Sequence, residues 1–136
     1  MLRHAATFLV LAILAGPVLA GKKPWVEGDS LEFALHDLDG NPVASTDERF
    51  DGKVLIVDLW GTWCPPCLSE IPTLNDFHRS YGERGLVIVA IAFEDHEDPD
   101  SRRAYLRGFV EDNQIEYLVL DAGEAEDFEA ALPNVS

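Results

Sequence analysis

Cys64 and Cys67 are the only cysteines of the 136-residue chain, and they stand two residues apart around Pro65 and Pro66. A bridge between them closes a very small loop. It removes little chain entropy and therefore adds little stability. A pair that barely staples the chain is better explained by reactivity. A cysteine thiolate attacks a disulfide and forms a mixed disulfide, which a second thiol then resolves. The sequence places Cys64 where an apolar strand hands over to a helix, so unpaired N–H groups and the helix dipole favour its thiolate. Cys67, one turn on, is placed to resolve by attacking Cys64. Pro65 and Pro66 remove two N–H donors and stiffen the turn, which makes them tuners of the redox couple.

Asp58 is the second informative residue, an acid inside an apolar run six positions before Cys64. Burial raises the pKa of an unpaired carboxyl, and such a group can take a proton from the Cys67 thiol. The alternative is an acid at a strand end facing a polar cleft. Trp60 and Trp63 flank the turn. Trp63 is expected to shield the sulfurs and offer a flat apolar surface to a partner, whereas core packing explains Trp60 equally well. Glu70 falls near the first turn after the site, exposed or set against the helix dipole. His36, His78 and His96 have no second Cys/His pair at zinc spacing, so no metal site is expected. His96 lies among acids that read as a solvated loop rather than a calcium loop. No cofactor is expected beyond a redox-active Cys64–Cys67 disulfide.

These side chains need a scaffold. Val54 to Trp60 and Leu86 to Phe93 are nearly continuous apolar runs rich in β-branched residues, as in parallel strands covered on both faces. Cys67 to Tyr81 has helical character, ends at Gly82 and should kink at Pro72. Strand–helix–strand implies a parallel pair. Leu31 to Leu35 alternates as a strand, Asp37 to Pro42 is turn chemistry, and Val43-Ala44 begins the return of a hairpin. Ser101 to Asn113 reads as a helix with Ser101 as its cap and Tyr105, Leu106, Phe109 and Val110 on one face. Glu116 to Asp121 is a further strand, and Glu124 to Leu132 a short helix with Phe128 and Leu132 inward. The class is α/β with a small hairpin in front.

The net charge of −15 argues against nucleic acid as a partner and leaves no basic stripe for anionic lipid. Residues 1–20 have a different character. Arg3 and His4 precede an uncharged apolar run from Ala5 to Ala15, and Val18-Leu19-Ala20 prepares a cut after Ala20. This is the layout of a secretory signal peptide, with an uncleaved N-terminal membrane anchor as the alternative. Residues 21–136 then form one domain, expected to be a monomer in a periplasmic or other extracytoplasmic space.

The segment Leu59-Trp60-Gly61-Thr62-Trp63-Cys64-Pro65-Pro66-Cys67, with Glu70 and Pro72 following, resembles the active-site segment of TlpA/ResA-type thioredoxin-like thiol–disulfide oxidoreductases. Leu38 to Val43 resembles that family's N-terminal strand pair, and 101–121 its inserted helix and strand. The resemblance implies a thioredoxin-like fold with an N-terminal hairpin and an αβ insertion. It implies an envelope reductant of protein disulfides, often in cytochrome c maturation, recharged by a membrane-bound thiol donor. Asp58 takes the place of thioredoxin's buried aspartate. The sequence through Ser136 lacks the family's cis-proline loop, its C-terminal hairpin and its last helix. An incomplete peptide-binding wall and an unpaired edge on strand 54–60 are therefore expected.

Two competing readings stand beside the exchanger. One is a thioredoxin-like binding module, truncated or inactive, whose cysteines only bridge or hold a metal. The other is a peroxidase, which is disfavoured because Thr62 stands two residues before Cys64 rather than three and no arginine is close in sequence.

Overall fold

The computed structural model describes residues 31–124 and 131–132. Among them five strands form one mixed sheet: β1 (Ala34–Asp37), β2 (Pro42–Ala44), β3 (Val54–Trp60), β4 (Leu86–Ala92) and β5 (Leu118–Asp121), in the order β2-β1-β5-β4-β3. β3, β4 and β5 run parallel, with Val54 opposite Leu86 and Asp58 opposite Ala90. The β1–β2 hairpin joins antiparallel through His36 opposite Asp121. The sheet is thioredoxin-like, as the alternation of apolar runs with helical segments implies.

Three α-helices are described: α1 (Pro65–Leu68), α2 (Ile71–Tyr81) and α3 (Pro99–Asp112). Side chains alternate across β3, so its two faces enter different cores. Ile56 and Trp60 join Ile88, Ala90 and Leu106 in a cluster under α1–α3, and Asp58 shares their face. Val57 and Leu59 face the other way, toward Phe33, Val43, Phe50, Val89 and Leu120. Leu106 is fully buried, which stabilises the α3 packing by about 2 kcal/mol.

Several boundaries differ from the sequence reading. The first strand starts at Ala34 rather than Leu31, because Phe33 spends its N–H on the Ser45 hydroxyl and its carbonyl on the Ser45 N–H. The expected helix 67–81 is two helices broken at Ser69–Glu70. Pro72 cannot donate to Leu68, so the chain stops one helix and restarts it with Pro72 in the first turn. Ser69 covers the break by donating its hydroxyl to the Pro66 carbonyl at 2.6 Å. The third helix is capped by Asp98, not Ser101: the Asp98 carboxylate accepts the Ser101 N–H at 2.7 Å, and Pro99 occupies the first turn. Of its apolar face, Leu106 is buried and Phe109 and Val110 are half-buried, but Tyr105 is exposed. Leu132 is buried as expected. Phe128 and residues 1–20 lie outside the described residues.

Candidate active site

The site sits at the C-terminal ends of β3 and β4. After Trp60 the chain leaves the sheet through Gly61 and Thr62, and the Cys64 N–H donates to the Gly61 carbonyl at 3.0 Å. Gly61 has no space for a side chain. A Cβ there would lie 2.4 Å from Trp63 Nε1 and 2.7 Å from the Phe93 carbonyl oxygen. That closeness lets the Trp63 indole donate to the Phe93 carbonyl at 2.9 Å, which pins an otherwise exposed ring beside the disulfide.

Cys64 is the N-cap of α1, with Pro65 and Pro66 in its first turn. Both prolines are exposed. Proline suits this position, where its missing N–H has no intrahelical partner to lose. Cys64 and Cys67 form a disulfide with Cα atoms 5.4 Å apart. Both cysteines are half-buried and line a cleft of about 270 Å³ walled by Leu59, Trp60, Trp63 and Phe93. Trp60 is buried, packs on Phe109 at 5.6 Å between ring centroids, and also lines the cleft, so it serves core and site together. A larger hollow of about 430 Å³ lies at the other end of β3, between Val54, Phe77 and Tyr81. It contains no nucleophile.

Asp58 lies on the β3 face that packs under the helices, and Cys67 packs into the same cluster as Trp60 and Tyr117. Burial pushes the Asp58 carboxyl above its usual range, and the Glu70 charge adds to the push. Burial also drives the Tyr117 hydroxyl up to about 12, with the charges of Asp58 and then Glu70 contributing. Asp58, Glu70 and Tyr117 thus share one electrostatic environment. Glu70 is exposed and is the N-cap of α2, with no side-chain cap bond. Among the described residues no group of three or more His, Cys, Asp or Glu side chains could hold a metal.

The sequence reading gave Glu94 to a solvated acidic loop, Tyr105 to an apolar helix face, and Thr62 no part in the exchange. Glu94 is buried two residues past the end of β4, where its carboxylate accepts the Thr62 N–H through Oε1 and the Thr62 hydroxyl through Oε2 at 3.1 Å. The Tyr105 hydroxyl meets Thr62 Oγ1 at 3.1 Å, and its ring stacks on His96. The signal was present in the parallel register. Trp60 pairs with Ala92, so two further steps set Thr62 opposite Glu94. The surrounding acids disguised Glu94 as part of a solvated loop.

Residues 27–129 match the family model described as the AhpC/TSA family. The chain belongs to the AhpC/TSA family. A thiol-disulfide oxidoreductase ResA of Bacillus cereus is 30% identical over 125 residues, covering 85% of this chain and 68% of that relative. A solved structure of a thiol:disulfide interchange protein of the thioredoxin family from Chlorobium tepidum TLS is 30% identical with a TM-score of 0.56. That match covers 68% of this chain and 59% of the other. The thioredoxin domain of a thiol-disulfide oxidoreductase from Bacteroides vulgatus shares the fold, with a TM-score of 0.59 at 22% identity over 76% of this chain and 67% of that one. The expected ResA-type resemblance holds, and the chemistry is that of a thiol–disulfide oxidoreductase.

Proposed function

We propose that this oxidoreductase is exported and reduces disulfides of extracytoplasmic proteins, with Cys64 as the attacking thiol and Cys67 as the resolving one. The observation that carries this is the Cys64–Cys67 disulfide at the head of α1, half-exposed in an apolar cleft. In the dithiol form the Cys64 thiolate attacks a partner disulfide. The partner's S–S bond breaks, one partner sulfur leaves as thiolate, and a mixed disulfide forms. Cys67 then gives its proton to Asp58 and attacks the Cys64 sulfur. The Cys64–Cys67 bond closes and the second partner thiolate leaves, so two electrons pass to the partner. Trp63 offers the flat face against which the partner lies, and Pro65 and Pro66 hold the turn.

The ResA resemblance supports the reducing direction, a membrane-bound thiol donor that restores the dithiol, and cytochrome c maturation as the setting. The leader-like residues 1–20 support export, with the chain acting as a monomer outside the cytoplasm. Two measurements test the reading. The dithiol chain should reduce insulin, and Cys64→Ser and Cys67→Ser should each fall to background. Turnover retained in both variants would rule out the exchange mechanism. N-terminal sequencing of the protein recovered from the cell envelope should begin at Gly21. A chain retained whole in the cytoplasm would remove export.

A further inference from the structure

Within the Gly61–Cys64 turn only Gly61 is buried. Thr62 is half-buried, Trp63 is exposed, and α1 beyond it is a single turn. Two anchors tie this turn to the end of β4: the Trp63 indole on the Phe93 carbonyl, and Thr62 on Glu94. The second is the unusual one. Glu94 has 3% of its surface exposed, and charged groups are rarely so enclosed unless they are paired. Both of its oxygens accept hydrogen bonds from the same residue, Thr62, two positions before Cys64. With its proton given to Glu94, Thr62 Oγ1 is left to accept from the Tyr105 hydroxyl. α3 is thereby linked to the turn by a chain of donors ending on one carboxylate.

We propose that Glu94 is a positioning residue for the attacking thiol: its carboxylate clamps Thr62 so that the Gly61–Cys64 turn is held in attacking geometry, and its negative charge at the base of the turn restrains the Cys64 thiolate. A carboxylate opposes a nearby thiolate by like-charge repulsion, against the pull of the α1 terminus. The remaining acids on the elements that carry the disulfide are Asp58 on β3 and Glu70 between α1 and α2, while Asp95, Glu97 and Asp98 follow Glu94 in the loop toward α3. Glu94 differs from them in touching the turn itself. Raising the energy of the thiolate destabilises the reduced form, so the clamp makes the dithiol a stronger reductant at some cost in thiolate at neutral pH. The inference rests on Cys64 being the attacking thiol.

The test uses the full chain in a Cys67→Ser background, which leaves Cys64 as its one thiol. Thiolate absorbance is titrated in Glu94, Glu94→Gln and Glu94→Ala forms. Attack on a small disulfide reporter is then timed above each midpoint, where the thiolate is complete. Glu94→Gln keeps an acceptor for the Thr62 N–H and removes the charge. Its midpoint should fall by ~0.5–1 pH unit, with the rate within about two-fold of the parent. Glu94→Ala loses the clamp as well, and its thiolate should attack ~10-fold more slowly. An unshifted Glu94→Gln midpoint overturns the inference, as does a Glu94→Ala rate equal to the parent. Should Glu94→Ala not fold, the Glu94→Gln midpoint alone decides. Reporter attack carried by Cys67 in Cys64→Ser overturns this inference together with the assignment of the nucleophile. Normal attack by Cys64 with an unshifted midpoint overturns this inference alone.

Discussion

Asp58 and Gly61 show how much depends on single positions around the disulfide. A carboxyl whose folded pKa lies above its unfolded value binds its proton more tightly in the fold. Stability therefore falls as pH rises from the ordinary carboxylate range through the raised pKa of Asp58. Asp58→Asn is expected to stabilise the oxidised chain above that window and to lose the advantage below it. Thermal unfolding of both forms at about pH 3.5 and pH 8 checks the sign, and an equal difference at both would contradict it. In the dithiol form the same change should slow release of the mixed disulfide more than its formation. Equal effects on both steps in stopped-flow traces would remove Asp58 from the proton path. Gly61→Ala forces a methyl into the Trp63 indole and the Phe93 carbonyl, which should cost about 1–3 kcal/mol in urea unfolding. The role offered for Asp58 was readable because an acid in an apolar strand stands out. Gly61 and Glu94 were not, because both depend on what lies opposite across the sheet.

At the scale of elements, the parallel strands announced themselves through β-branched apolar runs, and the hairpin through Asp-Gly. What stayed hidden was how α3 attaches. Arg102 is buried and donates through Nε to the buried Asp121 at the end of β5, at 2.6 Å. It also donates to the His96 carbonyl, and Asp121 accepts the Gly123 N–H at 3.1 Å. An arginine in a helix otherwise rich in charge gives no sign that it points inward. Removing one partner of a buried pair leaves the other charged and unmatched. Asp121→Asn should therefore lower stability by about 3 kcal/mol, read from the urea midpoint at constant slope. A loss below about 1 kcal/mol would mean that Arg102 finds water instead. The break between α1 and α2 was half legible. Pro72 marked it, but a proline tells only that a helix cannot run through, not that it restarts with that proline in its first turn.

Across the whole molecule the sheet ends on β3, which among the described residues pairs with β4 alone. Among the described residues no strand covers its outer edge, beside Val54, which is 68% exposed, and Leu55. Such an edge templates pairing with another chain. The protein should stay monomeric when dilute and scatter light as its concentration rises, and Val54→Lys should shift that onset upward. No shift would place the sticky surface elsewhere. The acidic surface was legible, because charge needs no fold to be counted.

The central claim is that Cys64 attacks and Cys67 resolves. The most direct measurement is mass spectrometry of each single-cysteine variant after reaction with a disulfide-bonded peptide. Cys67→Ser should accumulate a stable mixed disulfide mapped to Cys64, and Cys64→Ser should accumulate almost none. An adduct that forms equally fast on Cys67 in Cys64→Ser would contradict the assignment.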